Sequence, residues 1–330
     1  MTRRARLLRH RGFQIGALLV LALVLFAVLG PIVATHDPLE SDFVRGLDAE
    51  EMPVGPSRLF WLGADRLCRD QFARLATGAR VSLVIALLAT LLSTTLGAAV
   101  GIAAGYTEGE RVRVPVTSIA LTAGAIALLA AGRPRLAASA LGAAALGLAL
   151  GRRGPSLPVD LDALLMRGVD VLLAFPFLLL VMAVGAAFES TSVVTILVIL
   201  GLTSWLGTAR IVRSKVLSVR RLEFVVAARA LGQTTPRILL LHVLPNVAGP
   251  IAVIASVSVA QMILSESVLA YLGAGLAPPT PSWGKMLFEG QDFFTGAPWM
   301  LWAPAAFILA SVLGFNLVGE GLRDALDPRE

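Results

Sequence analysis

Cysteine is almost absent from this sequence: Cys68 is the only one in 330 residues. A single thiol makes no intramolecular disulfide and no cysteine metal cluster, and Cys68 reads as an incidental small side chain. Histidine is confined to His10, His36 and His242, too scattered to suggest a metal site. Lysine is reduced to Lys215 and Lys285, and residues of either charge make up only 15% of the chain. There is no phosphate-binding loop. Gly284-Lys285 follows Pro-Thr-Pro-Ser-Trp, without the earlier glycine that such a loop needs. Ser192, Ser204 and Ser256 have no Gly-x-Ser-x-Gly setting and no His/Asp set, which argues against an intramembrane hydrolase. The chain therefore reads as a non-enzyme, with no cofactor and no metal.

What is abundant is apolar surface. Hydrophobic residues make up 56% of the chain and the mean hydropathy is +0.79, against roughly 45–50% apolar content in soluble domains. A soluble fold of this length cannot hide so much, whereas a bilayer can. The net charge of +6 and the pI near 10.6 would suggest nucleic acid in a soluble protein. Here the arginines stand beside apolar runs, so they report topology and not a nucleic-acid partner.

The first run, Phe13–Ala34, is long enough to span a bilayer. Five arginines precede it, and its length exceeds a signal-peptide core, so it reads as a retained helix with a cytoplasmic N-terminus. A polar segment with Pro38, Pro53 and Pro56 follows as an external loop, closing an N-terminal unit at residues 1–79. Further spans fall at Val81–Ala104, Val169–Phe188, Thr191–Ala209, Ala248–Leu272 and Trp299–Val318. The expected fold is an all-α bundle of six core spans. Pro176 should kink the third. Gly97, Gly101 and Gly105 recur every fourth residue, on one helix face where another helix can approach closely. Alternation puts 35–79 and 273–298 outside and the arginine-rich 210–246 inside, with the C-terminal tail, in agreement with the positive-inside rule.

Between the second and third spans lie two short Ala/Leu/Gly-rich runs, 114–131 and 136–150, separated by Gly132-Arg133-Pro134-Arg135. They fit either a hairpin crossing the membrane twice or a surface-lying insert.

Residues 223–246 carry the strongest local signal. Glu223–Leu231 has good helix formers, Gly232 suits the left-handed position that ends a helix, and Thr235-Pro236 reads as an N-cap with proline at the first helical position. Pro245 is expected to break the second helix before the next span. The result is a helix–turn–helix on the inner face whose small apolar residues need a partner to cover them.

This segment resembles the signature loop of binding-protein-dependent ABC importer permeases, E-A-A-x3-G-x9-I-x-L-P. Ala227, Ala228, Gly232, Leu244 and Pro245 match in register, whereas Val226 replaces the glutamate and His242 the isoleucine. Glu223, three residues earlier and about one helical turn away, is a partial substitute, and Arg229 lies within the same loop. The segments 62–83, 165–180, 277–287 and 315–329 are similar to the dipeptide/oligopeptide/nickel permease family, in its second permease type. Joining Tyr106 to Asp162 restores the family pattern, so 108–160 is an insertion within a permease domain at 80–330. The resemblance implies a second homologous permease chain, two cytoplasmic ATPase subunits, an extracytoplasmic solute-binding protein and an inner-membrane location. It implies ATP-driven import of peptides or similar small solutes, coupled through the 223–246 loop.

Glu266 lies within a span, where an ionisable group is costly; lining the pathway and bonding to a neighbouring helix both remain open. Asp170 reads as an interfacial anchor. Trp61, Trp205, Trp283, Trp299 and Trp302 read mainly as interface aromatics, with Trp283 also in an external loop able to face the binding protein. A self-contained secondary transporter would need intramembrane charged pairs and internal repeats, and only Glu266 is a candidate. A membrane enzyme would need a catalytic set that is missing. The purified chain alone is expected to hydrolyse no ATP. Turnover that survives stringent removal of contaminating ATPases would overturn that.

Overall fold

The computed structural model describes residues 10–115, 156–186 and 191–326, with isolated positions between 117 and 144. Most of the proposed hairpin, including Arg133–Arg135, lies outside the described residues. The first helix is α1 (Arg11–Val33), capped by His10, whose Nδ1 accepts from the amide of Phe13 at 3.2 Å. Next is α2 (Gln71–Thr107), which starts ten residues before the expected Val81. The reason is Asp70, whose carboxylate takes the amides of Phe72 and Ala73 at 2.8 and 3.3 Å and starts the helix at the end of the loop that precedes it. At 37 residues α2 is about 55 Å long, so it extends beyond the roughly 30 Å hydrocarbon layer.

Two short antiparallel strands follow, β1 (Arg111–Pro115) and β2 (Ser156–Asp160), in register from Arg111 opposite Asp160 to Pro115 opposite Ser156. They bring the ends of the segment joining the second and third spans side by side. Asp160 then caps α3 (Leu161–Leu173), accepting from the amide of Ala163 at 3.1 Å. At Pro176 the chain turns by 90° into α4 (Phe177–Gly185). Proline stands before the new helix, where its missing N–H costs nothing. The expected kink is thus a near right angle between two short helices.

Ser192 caps α5 (Val193–Thr203), which breaks at Ser204 and continues as α6 (Trp205–Val219). The basic stretch from 210 is therefore a helical extension of the fourth span. Two short helices come next, α7 (Glu223–Ala230) and α8 (Thr235–Ile238). A π turn, Leu239–Val243, joins α8 to α9 (Leu244–Tyr271). Pro245 does not break this helix as the sequence suggested. The ladder opens to an i−5 bond from the Leu244 amide to the Leu239 carbonyl, and Asn246 Nδ2 donates to the His242 carbonyl at 2.7 Å. The ladder changes register around the proline instead of ending there. Last come α10 (Trp283–Gly290), capped by Ser282, and α11 (Trp299–Leu326), which continues as helix into the polar tail as far as Leu326.

Among the described residues five helical stretches are long and apolar enough to cross a membrane, or six if the bent α3–α4 pair counts as one span. Leu18, Ile32, Leu91 and Leu309 on their outer surfaces are 60–73% exposed, as side chains facing lipid or a partner helix are. Glycine contacts set the directions. Gly97 faces Thr208, Gly101 faces Ala209 and Val212, and Gly105 faces Arg213 and Val216, so α2 and α6 run parallel. Gly16 meets Leu317 and Gly321 meets Phe13, so α1 and α11 are antiparallel. Gly249 meets Leu326 and Gly319 meets Val257, so α9 and α11 are antiparallel too. One face therefore carries both chain ends, the β1–β2 ribbon and the α7–α8 turn. The other carries the loops 34–70 and 272–298.

A methyl group built on Gly101 would lie 2.5 Å from the Ala209 carbonyl oxygen. Gly101→Val is expected to lose about 1–3 kcal/mol by overpacking, seen as a drop of several degrees in the melting temperature of the detergent-purified chain.

Candidate functional site

On the face shared by the termini, α7 stands proud of the bundle. Val225 and Ala228, three residues apart and so on one side of the helix, are buried against Tyr106, Val216 and Val243. On the other side Leu222, Val226 and Leu231 are 45, 55 and 81% exposed. The helix ends in a Schellman arrangement: the Gln233 amide bonds to the Ala228 carbonyl at 3.2 Å and the Gly232 amide to that of Arg229 at 3.0 Å. Gly232 has φ +75°, a conformation that costs a residue with Cβ and suits glycine. The N-cap of α8 is Thr234, one residue before the expected Thr235, which is itself the first helical residue. Glu223 and Ala227 are exposed, and Leu244 and Pro245 lie on the exposed surface at the start of α9. The residues singled out in this segment thus share one protruding element, with Ala228 as its buried anchor.

Four arginines of this region are paired with acids. Arg213 holds Asp162 through two hydrogen bonds of 2.5 Å, and Arg210 pairs with Asp170. Arg220, which ends α6, donates to the carbonyls of Gly105, Tyr106 and Glu108 at 3.2, 3.0 and 2.9 Å and to the Glu108 carboxylate. It thereby caps the orphan carbonyls at the end of α2. Arg229 lies 5.1 Å from the Tyr106 ring centre and 3.6 Å from the Glu110 carboxylate. Sequence reading took Arg210, Arg213 and Arg220 as a topology signal and placed Arg229 in the coupling loop, without any of these pairings. Their acids lie about 40 to 120 residues away, with no local spacing to reveal them.

A cavity of about 530 Å³ opens between the α3–α4 bend, the Ser204 break and the middle of α9. Phe175, Leu206 and Val257 make it largely apolar, with Thr208, Ser258 and Gln261 among its polar lining groups. Glu266 is not in this lining. It is buried at the junction of α2, α9 and α10, accepting from Ser82 Oγ at 3.3 Å.

At the opposite face the loops 34–70 and 272–298 are held by buried charge. Arg74 pairs with Asp65 and, at 2.7 Å, with Glu289; Arg69 pairs with the same two acids at 2.7 and 3.3 Å. All four are at most 7% exposed. Sequence reading missed this group. Asp65, Arg69 and Arg74 are close in sequence, but Glu289 is supplied by α10, more than 200 residues on. Trp283 is fully buried, its Nε1 donating to the Leu75 carbonyl at 3.3 Å. It is a core residue and offers no surface to a binding protein. Cys68 is buried beside this cluster with φ +57°. Burial pushes its thiol above the ordinary value, with the Asp65 and Asp42 charges adding to the effect.

Residues 143–330 match the family described as binding-protein-dependent transport system inner membrane component, and residues 2–47 match the N-terminal TM domain of oligopeptide transport permease C. Among curated relatives, the oligopeptide transport system permease protein OppC of Escherichia coli (strain K12) is 34% identical over 322 residues, covering 97% of this chain and 88% of that protein. OppC of Bacillus subtilis (strain 168) is 31% identical over 316 residues, covering 96% and 85%. The dipeptide transport system permease protein DppC of Alkalihalophilus pseudofirmus is 32% identical over 315 residues, covering 96% and 85%.

Removing one partner from a buried ion network leaves the others charged and unpaired, at about 3–5 kcal/mol. Arg74→Met is therefore expected to destabilise the chain strongly, read as a loss of folded, monodisperse protein on gel filtration in detergent, whereas a reversal at exposed Arg58 leaves the profile unchanged.

Proposed function

We infer the working parts of this protein from its family: the chain belongs to the binding-protein-dependent transport system inner membrane components. It is a multi-pass inner membrane protein and a permease subunit of an ABC importer, with ATP hydrolysis on separate subunits. Within that role, its solutes are peptides, as the names of the relatives suggest. The face carrying both termini is cytoplasmic, which agrees with its arginine content. The importer contains a second homologous permease, two ATPases and an external solute-binding protein. Residues 80–330 act as the permease domain and 108–160 as an insertion within it.

The observation that carries the coupling proposal is the two-sidedness of α7. Leu222, Val226 and Leu231 form an exposed apolar ridge for a protein partner. Val225 and Ala228 seat the helix on α2, α6 and the α8–α9 junction. A push from an ATPase is thereby delivered to the inner ends of three spans at once. The cavity at the α3–α4 bend is this chain's half of the translocation pathway. Its volume of about 530 Å³ is within the roughly 300–1,000 Å³ of small-molecule sites, and its hydroxyl and amide groups suit a peptide backbone. Reorienting helices around it gives alternating access. Gly97, Gly101 and Gly105 keep α2 and α6 moving as one body, and Glu266 anchors α9 to α2.

Gly232→Val forces a branched side chain into a left-handed turn. Membrane insertion is expected to be normal, while ATPase association or transport is lost. Wild-type association and transport in this variant would remove 223–246 as the coupling element.

A further inference from the structure

The structure assigns a positioning role to the neck of the segment between α2 and α3: we propose that residues 108–115 and 156–162 brace the coupling helix, with Glu108 and Glu110 as its positioning residues. The inference rests on 223–246 being the ATPase-coupling element.

Three arginines spaced along α6 and α7 reach this one neck. Arg213 takes Asp162 just after β2. Arg220, at the junction leading into α7, takes the Glu108 carboxylate together with three carbonyls at the end of α2. Arg229, in the last turn of α7, takes Glu110 at 3.6 Å while lying over the Tyr106 ring. The pairing of β1 with β2, from Arg111 opposite Asp160 onward, ties the two sides of the neck together. A displacement of either side is thus transmitted to the other. Arg213 and Arg220 are multiply bonded, so they constrain angle as well as distance, while Arg229 adds one charge contact and its approach to the Tyr106 ring.

The neck therefore holds the junction that leads into the coupling helix and contacts the last turn of that helix. Between these points remains a cleft of about 390 Å³, bordered by Glu108, Glu110, Arg221 and Val226. An ATPase bearing on the exposed ridge of α7 pushes against a helix whose tilt is held by Glu108 and Glu110.

The test uses the complete transporter in lipid nanodiscs, with the permease carrying Glu110→Arg, Arg229→Glu, both together, or Glu108→Gln. Amide hydrogen exchange in residues 224–231 and the ATPase rate of the complex are measured, with co-purification of the ATPases as the check on assembly. Each single variant is expected to speed exchange in α7 and lower the ATPase rate by about twofold to fivefold, the range of a partly exposed ion pair. The double reversal is expected to recover both, because the pair is re-formed with opposite polarity. A single variant that loses its ATPases and regains them in the double reversal also supports the brace. Wild-type exchange and rate in all single variants, or a double reversal no better than the singles, overturns it. Gly232→Val separates the two ideas. If it is defective while the neck variants are normal, only the brace fails; if it too is normal, the coupling reading itself is wrong.

Discussion

The close approach of α2 and α6 is the contact on which the inner half of the molecule depends. Three glycines at four-residue spacing remove the side chains that would hold the helices apart, and residues from Trp205 to Val216 fill the space. In a bilayer, where lipid tails are as apolar as leucine, such shape fit and van der Waals contact replace hydrophobic burial as the force between helices. Because the pair is parallel, Thr107 and Val219 end side by side. Arg220 can then cap α2, Tyr106 can form part of the seat for α7, and the neck can reach the coupling helix.

Charge is used differently at the two ends. At the face of the loops 34–70 and 272–298 four charged side chains are buried and paired with one another, which fixes α10 onto the start of α2. Networks of this kind cost desolvation and return geometric definition. At the face of the α7–α8 turn the pairs are separate from one another: those of Arg210, Arg220 and Arg229 are partly exposed, and individually worth little, while Asp162 is buried against Arg213. A rigid outer cap and a softer inner linkage suit a permease that is driven from the inside.

The irregular backbone falls at the proposed pathway and at the proposed coupling junction. The right-angle turn at Pro176 and the break at Ser204 both border the main cavity, and the π turn at Leu239–Val243 joins the coupling turn to α9. At each of these places the regular helix ladder is interrupted, and a small rearrangement there costs less than in an intact helix.

The all-α membrane class, the six apolar stretches, the turn at Gly232 and the resemblance of residues 223–246 to a coupling loop were legible in the sequence. Each is a local property: run length, arginine placement beside a run, or a glycine where a helix must stop. Helix extents were not, because capping by Asp70 and the relaxation around Pro245 depend on bonds that hydropathy does not see. Nor did the sequence separate the two readings of Glu266, which the fold places against Ser82 and outside the cavity lining. The pairing of Arg74 with Glu289, of Arg220 with Glu108 and of Arg229 with Glu110, and the burial of Trp283, were decided only by the tertiary structure. These contacts join residues far apart in the chain, and their partners become neighbours only once the helices have chosen their directions.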